Sequence, residues 1–164
     1  MCASHPGSGP FESLTGTPQL TVMIREEELE IASPLAQLSG QGQCVLLVED
    51  DPALRRYLEV VLQRAGYTVL SAGDGLEAMK VLLSAGVDVI VTDALMPNLD
   101  GYELCRFVRN SEPLSHLPII LLSALDPKNS TDESEQVDAF LSKPVSPEDF
   151  LSRIAQVLAQ DLQD

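Results

Sequence analysis

From Cys44 onward, short apolar runs alternate with stretches in which apolar residues recur every three or four positions. The runs are CVLLV (44–48), TVLSA (68–72), VIV within DVIVTD (88–93), PIILLSA (118–124) and AFLSK (139–143), each closed by a turn signal or a polar residue. Runs of this kind predict strands buried on both faces, as parallel sheets require. Between them the period becomes helical. Asp51-Pro52 offers an N-cap with proline at the first helical position, and Leu54, Leu58, Val61, Leu62 and Ala65 share one face before Gly66 ends the helix. Asp74 caps a second helix, in which Leu76, Met79 and Leu83 align with Ala78 and Leu82 alongside, and Gly86 stops it. A third follows Asp100-Gly101 and turns Leu104, Phe107 and Val108 inward. The last starts at Ser146-Pro147-Glu148-Asp149 and buries Phe150, Ile154, Val157 and Leu158.

Strands alternating with helices imply crossover connections and a parallel sheet covered on both sides, a single doubly wound α/β domain over residues 43–164. One unit breaks the pattern. DPKNSTDESEQVD (126–138) has Val137 as its only sizeable apolar residue, so the fourth helix is expected to be short, frayed or absent. Residues 1–42 also stand apart. Their opening is rich in Gly, Pro, Ser and Thr, and reads as a flexible arm or linker. Leu20–Ile31 could form a short strand and acidic helix; the segment then belongs either to the tail of an upstream domain or to an arm that pairs with a second copy.

Composition narrows the function. A net charge of −15, with only ten scattered Lys and Arg residues, argues against direct contact with nucleic acid. No apolar run approaches the roughly 20 residues needed to cross a bilayer, and the first residues lack the basic start and apolar core of a secretory signal. Of three cysteines, Cys44 and Cys105 fall inside apolar patterns and read as reduced core residues, which suits a cytoplasmic protein.

The chemistry gathers at strand ends. In a parallel sheet the loops after the first, third, fourth and fifth strands open at one edge, where such folds place their ligands. That edge would receive Glu49, Asp50 and Asp51, then Asp93, Ser123 and Lys143. Crowded carboxylates repel, and a hard divalent cation relieves the repulsion through oxygen ligands. A nearby lysine and hydroxyl suit phosphoryl oxygens. Together these are parts for moving a phosphoryl group onto Asp93 as an acyl phosphate.

These residues resemble the receiver domains of two-component response regulators, over roughly Gln43 to Leu162. VLLVEDD is similar to that family's acidic opening, DALMPNLDG to its phosphoacceptor signature, LLSA to its Ser/Thr-Ala step and FLSKP to its Lys-Pro ending. The resemblance implies a flavodoxin-like five-stranded sheet of order 2-1-3-4-5. It makes Asp93 the phosphoacceptor, with Mg²⁺ (or Mn²⁺) held by Glu49, Asp50, Asp93 and the Leu95 carbonyl. Ser123 and Lys143 become phosphate contacts, Ser123 and Phe140 switch residues, and a cis bond is expected before Pro144. The implied donor is a histidine kinase or phosphotransfer protein, and the output is contact with a downstream protein target; a homodimer is compatible with this. Only self-phosphotransfer and autodephosphorylation are expected, not turnover as an enzyme. Two departures from the family pattern bear on the docking surface: the Ser123–Lys143 segment is slightly short, and Gln136-Val137 replaces the usual Gly-Ala.

Plainer readings compete residue by residue. Capping before Pro52 explains Asp51 better than metal binding does. Taken singly, Ser123 is a strand-end serine, Lys143 a surface lysine and Phe140 a core residue; His5 and His116 read as exposed. Two other functions compete. A phosphatase resembling the haloacid dehalogenase type needs a second acid two residues after the nucleophile, where this chain has Leu95. A phosphorylation-independent flavodoxin-like interaction module remains as the alternative, without flavin, since Glu49-Asp50-Asp51 would repel the cofactor phosphate. The last helix runs to the end of the chain, so no output domain is expected after Asp164. That implies a single-domain regulator or a module of a larger hybrid protein.

Overall fold

The computed structural model describes residues 42–124 and 136–162. Five strands, β1 (Cys44–Val48), β2 (Thr68–Ala72), β3 (Val89–Asp93), β4 (Ile119–Ser123) and β5 (Ala139–Ser142), form one parallel sheet in the order β2-β1-β3-β4-β5. Every residue of β3 and β4 is buried, as continuous apolar runs require when helices cover both faces. Alternate side chains enter two cores. Val45, Leu47, Val91 and Leu122 face one layer of helices, while Leu46, Val48, Ile90 and Leu121 face the other. The expected flavodoxin-like order is therefore the observed one.

Helix α1 (Pro52–Arg64) begins where the Asp51 carboxylate accepts the Ala53 N–H at 2.9 Å and Pro52 occupies the first turn. It ends on Gly66, whose φ of 94° suits a residue without a Cβ. There the Tyr67 N–H reaches the Leu62 carbonyl and the Gly66 N–H that of Gln63, satisfying two carbonyls of the last turn. Helix α3 (Gly101–Asn110) starts with a reciprocal cap between Asp100 and Glu103. Helix α4 (Pro147–Asp161) starts with the Ser146 hydroxyl accepting the Asp149 N–H, and buries Phe150, Leu151, Ile154, Val157 and Leu158.

Helix α2 (Gly75–Ser84) differs from expectation. Its inward face is Gly75, Ala78 and Leu82, whereas Leu76 and Leu83 are exposed and Met79 is half-buried. Rotation here is set by close approach at Gly75. A Cβ at that position would lie 2.5 Å from the Leu99 carbonyl oxygen, so only glycine lets the helix seat this way. Phe107 of α3 is likewise half-buried, and Cys105 takes the inner position beside Leu104. Cys44 and Cys105 are both free thiols. The readings for residues 1–41, and most of the fourth-helix segment (125–135), lie outside the described residues.

The amino edge of the sheet is closed by Arg109. Its guanidinium donates to the carbonyls of Ser115 and Leu117, each at 2.8 Å, to that of Gln136 at 3.0 Å, and to Asp138 Oδ2 at 2.7 Å. Asp138 Oδ2 also accepts the Ile119 N–H at 2.7 Å, tying the start of β4 to the start of β5. Removing the fork leaves several of these acceptors unsatisfied. Arg109→Ala is expected to cost about 2–3 kcal/mol of stability in urea unfolding. Arg109→Lys should restore only part, because one ammonium cannot span the same acceptors.

Candidate functional site

Three strands deliver carboxylates or their partner to the carboxyl edge. Glu49 follows β1, Asp93 ends β3, and Lys143 follows β5. Glu49 is only 1% exposed and Asp93 is also buried, while Asp50 is exposed at the rim. Lys143 Nζ lies 3.0 Å from Glu49 Oε2 and 3.0 Å from Asp93 Oδ2, so one ammonium ties the two buried acids together. The other Glu49 oxygen accepts the Asp51 N–H at 3.1 Å.

Burial pushes the Glu49 carboxyl above the usual glutamate range. The Asp51 N–H and Lys143 pull it down, and the Asp93 charge adds to the rise. Burial would by itself lower the Lys143 ammonium. Its hydrogen bonds to Asp93 and Glu49 outweigh that and hold it above the ordinary lysine value, so the lysine stays charged. The carboxylate oxygens of Glu49, Asp50 and Asp93 lie within 4.8 Å of one another. Hard oxygen donors at that spacing fit a small divalent cation.

The remaining expected residues fall into place differently. Ser123 is buried at the end of β4. Phe140 on β5 is half-buried against the α2–α3 side of the core; it pairs with Leu121, so Ser123 sits two residues further along the same face of the neighbouring strand. Asp51 serves as the α1 cap, the role preferred for it, and is not among the three clustered acids. Leu95 is exposed just beyond β3. The Lys143–Pro144 peptide is cis, as the resemblance implied.

Several positioning residues carried no strong signal in the sequence. Gly101 read as a turn residue, yet its α-carbon abuts the Asp93 backbone. A Cβ there would overlap the Asp93 carbonyl oxygen and lie 3.1 Å from Ala94 Cα. Asn98 adopts a left-handed φ of 69° and donates through Nδ2 to Asp74 Oδ2 at 3.0 Å, linking the loop after Asp93 to the start of α2. The Met96-Pro97-Asn98 turn chemistry was the only hint of it. Arg55 donates to the Glu49 main-chain oxygen at 2.7 Å, a contact no local pattern announces.

These features define a doubly wound α/β protein with a cation-compatible acidic pocket at the carboxyl edge of its sheet. Residues 45–155 match the response regulator receiver domain family, and the chain belongs to it. Among curated relatives, it is 36% identical over 128 residues to the transcriptional regulatory protein GltR of Pseudomonas aeruginosa, covering 74% of this chain and 51% of GltR. The chain spans about half the length of GltR and of several other curated relatives. The signal receiver domain of a signal transduction histidine kinase from Syntrophus aciditrophicus superposes with a TM-score of 0.67 at 31% identity, over 73% of this chain and 92% of that one. The receiver domain of sensor histidine kinase PA1611 from Pseudomonas aeruginosa, solved with a magnesium ion coordinated in its active site cleft, gives 0.65 at 33% identity, over 72% and 98%.

The glycine contact yields a direct test. Gly101→Ala must displace either α3 or the backbone of Asp93, and overpacking of this kind costs about 1–3 kcal/mol. Urea unfolding should register the loss, and amide chemical shifts at residues 93 and 94 should move. Parent-like stability would show that the contact relaxes freely.

Proposed function

We propose that this chain is the phosphoacceptor module of a two-component relay, taking a phosphoryl group onto Asp93 from a histidine kinase or phosphotransfer protein. The observation that carries this reading is Lys143 Nζ lying 3.0 Å from both Glu49 and Asp93, beside a cluster of three carboxylates. A carboxylate oxygen of Asp93 attacks phosphorus, a P–O bond forms, and the P–N bond to the donor imidazole breaks. Lys143 is charged and close enough to follow the transferred oxygens, and the Ser123 hydroxyl supplies a donor on the β4 side.

Glu49, Asp50 and Asp93, with the Leu95 carbonyl, are the residues proposed to hold Mg²⁺ (or Mn²⁺). Three acids against one lysine leave two negative charges, which a divalent ion balances. The ion, once bound, neutralises charge on the phosphoryl oxygens. The magnesium held by the PA1611 receiver supports this choice. Ser123 and Phe140, on one face of adjacent strands, are proposed as the switch pair: a hydroxyl drawn toward the phosphoryl group frees room for the ring.

A protein partner fits the surroundings. Beside Lys143 and Pro144 opens an apolar hollow of about 460 Å³ lined by Leu54, Tyr57 and Val145. Among the described residues no helix is long and apolar enough to cross a membrane. The domain is assigned to residues 43–164, with 1–42 as an arm, linker or tail of an upstream domain.

Acetyl phosphate with Mg²⁺ should add one phosphoryl group to the parent chain, read by intact-mass spectrometry, and Asp93→Asn should abolish the gain. An unmodified parent would instead favour a phosphorylation-independent interaction module. Acidity gives a second test. Burial holds Glu49 above the usual range, so its protonation begins at a higher pH than in an exposed glutamate. Each proton taken up removes negative charge from the ion's surroundings, so Mg²⁺ affinity should fall with pH, starting above the roughly 4.3 of an unperturbed glutamate. Calorimetric titrations that stay flat down to that pH would show either that the Glu49 carboxyl is not raised or that it does not hold the ion.

A further inference from the structure

Arg55 is half-buried in the first turns of α1, facing the end of β1. Its Nη1 donates to the Glu49 main-chain oxygen at 2.7 Å, and among the described residues its guanidinium makes no ion pair. The same group borders Gly73, just past β2. A Cβ there would lie 3.3 Å from Arg55 Nη1 and 3.4 Å from Glu77 Oε2, and that glutamate oxygen accepts the Gly73 N–H at 2.8 Å. Glu49 N–H in turn donates to the Ala72 carbonyl at 3.1 Å. The main chain of Glu49 is thus held from two sides, by β2 through its N–H and by α1 through its carbonyl.

We infer that Arg55 is a positioning residue for the cation site: it fixes the Glu49–Asp50 peptide so that both carboxylates meet Asp93. This deepens the proposed function and rests on it. Glu49 has little freedom of its own, with one oxygen on the Asp51 N–H and the other on Lys143. Asp50 is exposed, and among the described residues its side chain has no such anchor, so its place in the cluster depends on the peptide that precedes it. A charged donor on that carbonyl supplies the constraint.

Charge and position predict opposite signs. A cation beside the site repels a divalent ion, so if Arg55 acts through its charge alone, deleting it tightens binding. If it positions the acids, deleting it weakens binding.

The test is Mn²⁺ binding read by electron paramagnetic resonance on the full chain, with thermal unfolding in EDTA recorded in parallel. Arg55→Met keeps the aliphatic stem and helix propensity but removes donor and charge. It should weaken Mn²⁺ binding about tenfold, as loss of an outer partner of metal ligands does. Arg55→Lys retains charge and one donor, and should recover most of the loss. Unchanged or tighter binding by Arg55→Met, or a Lys variant no better than the Met variant, would overturn the inference. A fall in unfolding temperature with parent affinity would assign Arg55 a structural role only. If the parent itself binds no Mn²⁺, the cation site fails and this inference with it; if the parent binds and both variants match it, only the role of Arg55 fails.

Discussion

A glutamate that is 1% exposed just past β1 needs a cation, and among the described residues Lys143 reaches it. Taking an isolated carboxylate out of water costs several kcal/mol unless charge and hydrogen bonds replace the water. Here one oxygen has an N–H and the other an ammonium. In the sheet, β1 and β5 are not neighbours, for β3 and β4 lie between them. A lysine just past the edge strand β5 can therefore meet Glu49 only if all four strands hold their register, and Asp93 lies on its way. The interaction makes the carboxyl edge a single electrostatic unit built from distant parts of the chain.

The two edges of the sheet use basic residues for opposite ends. At the amino edge, Arg109 is satisfied by three carbonyls and one carboxylate, and Asp138 passes the restraint on to β4. At the carboxyl edge Lys143 pairs with two of three clustered acids, and the negative charge left over is what a divalent cation can balance. Local rules of satisfaction are met where the fold needs stability and left unmet where chemistry is expected.

Much of the site was legible because its residues end strands. Asp93 closes an apolar run, Lys143 closes another, and parallel topology carries both to one edge whatever the details of packing. Caps were equally plain, since Asp51, Asp74, Asp100 and Ser146 each precede a helix start. The rotation of α2 was not. Leu76, Met79 and Leu83 make as good a stripe as Gly75, Ala78 and Leu82, and hydropathy prefers the first set. The second wins because glycine permits contact with Leu99, and that preference is steric and non-local.

By itself the amino-acid sequence determined the element order, the strand ends and the chemical identities gathered there, because hydrophobic period, caps and turn residues are local properties. Only the tertiary structure decided which face α2 buries, that Gly101 lies against the Asp93 backbone, that Asn98 ties to Asp74, and that Arg55 reaches the Glu49 carbonyl. Each of those depends on how closely two elements approach. Such distances follow from the packing of the whole sheet and its helices, and no window of neighbouring residues contains them.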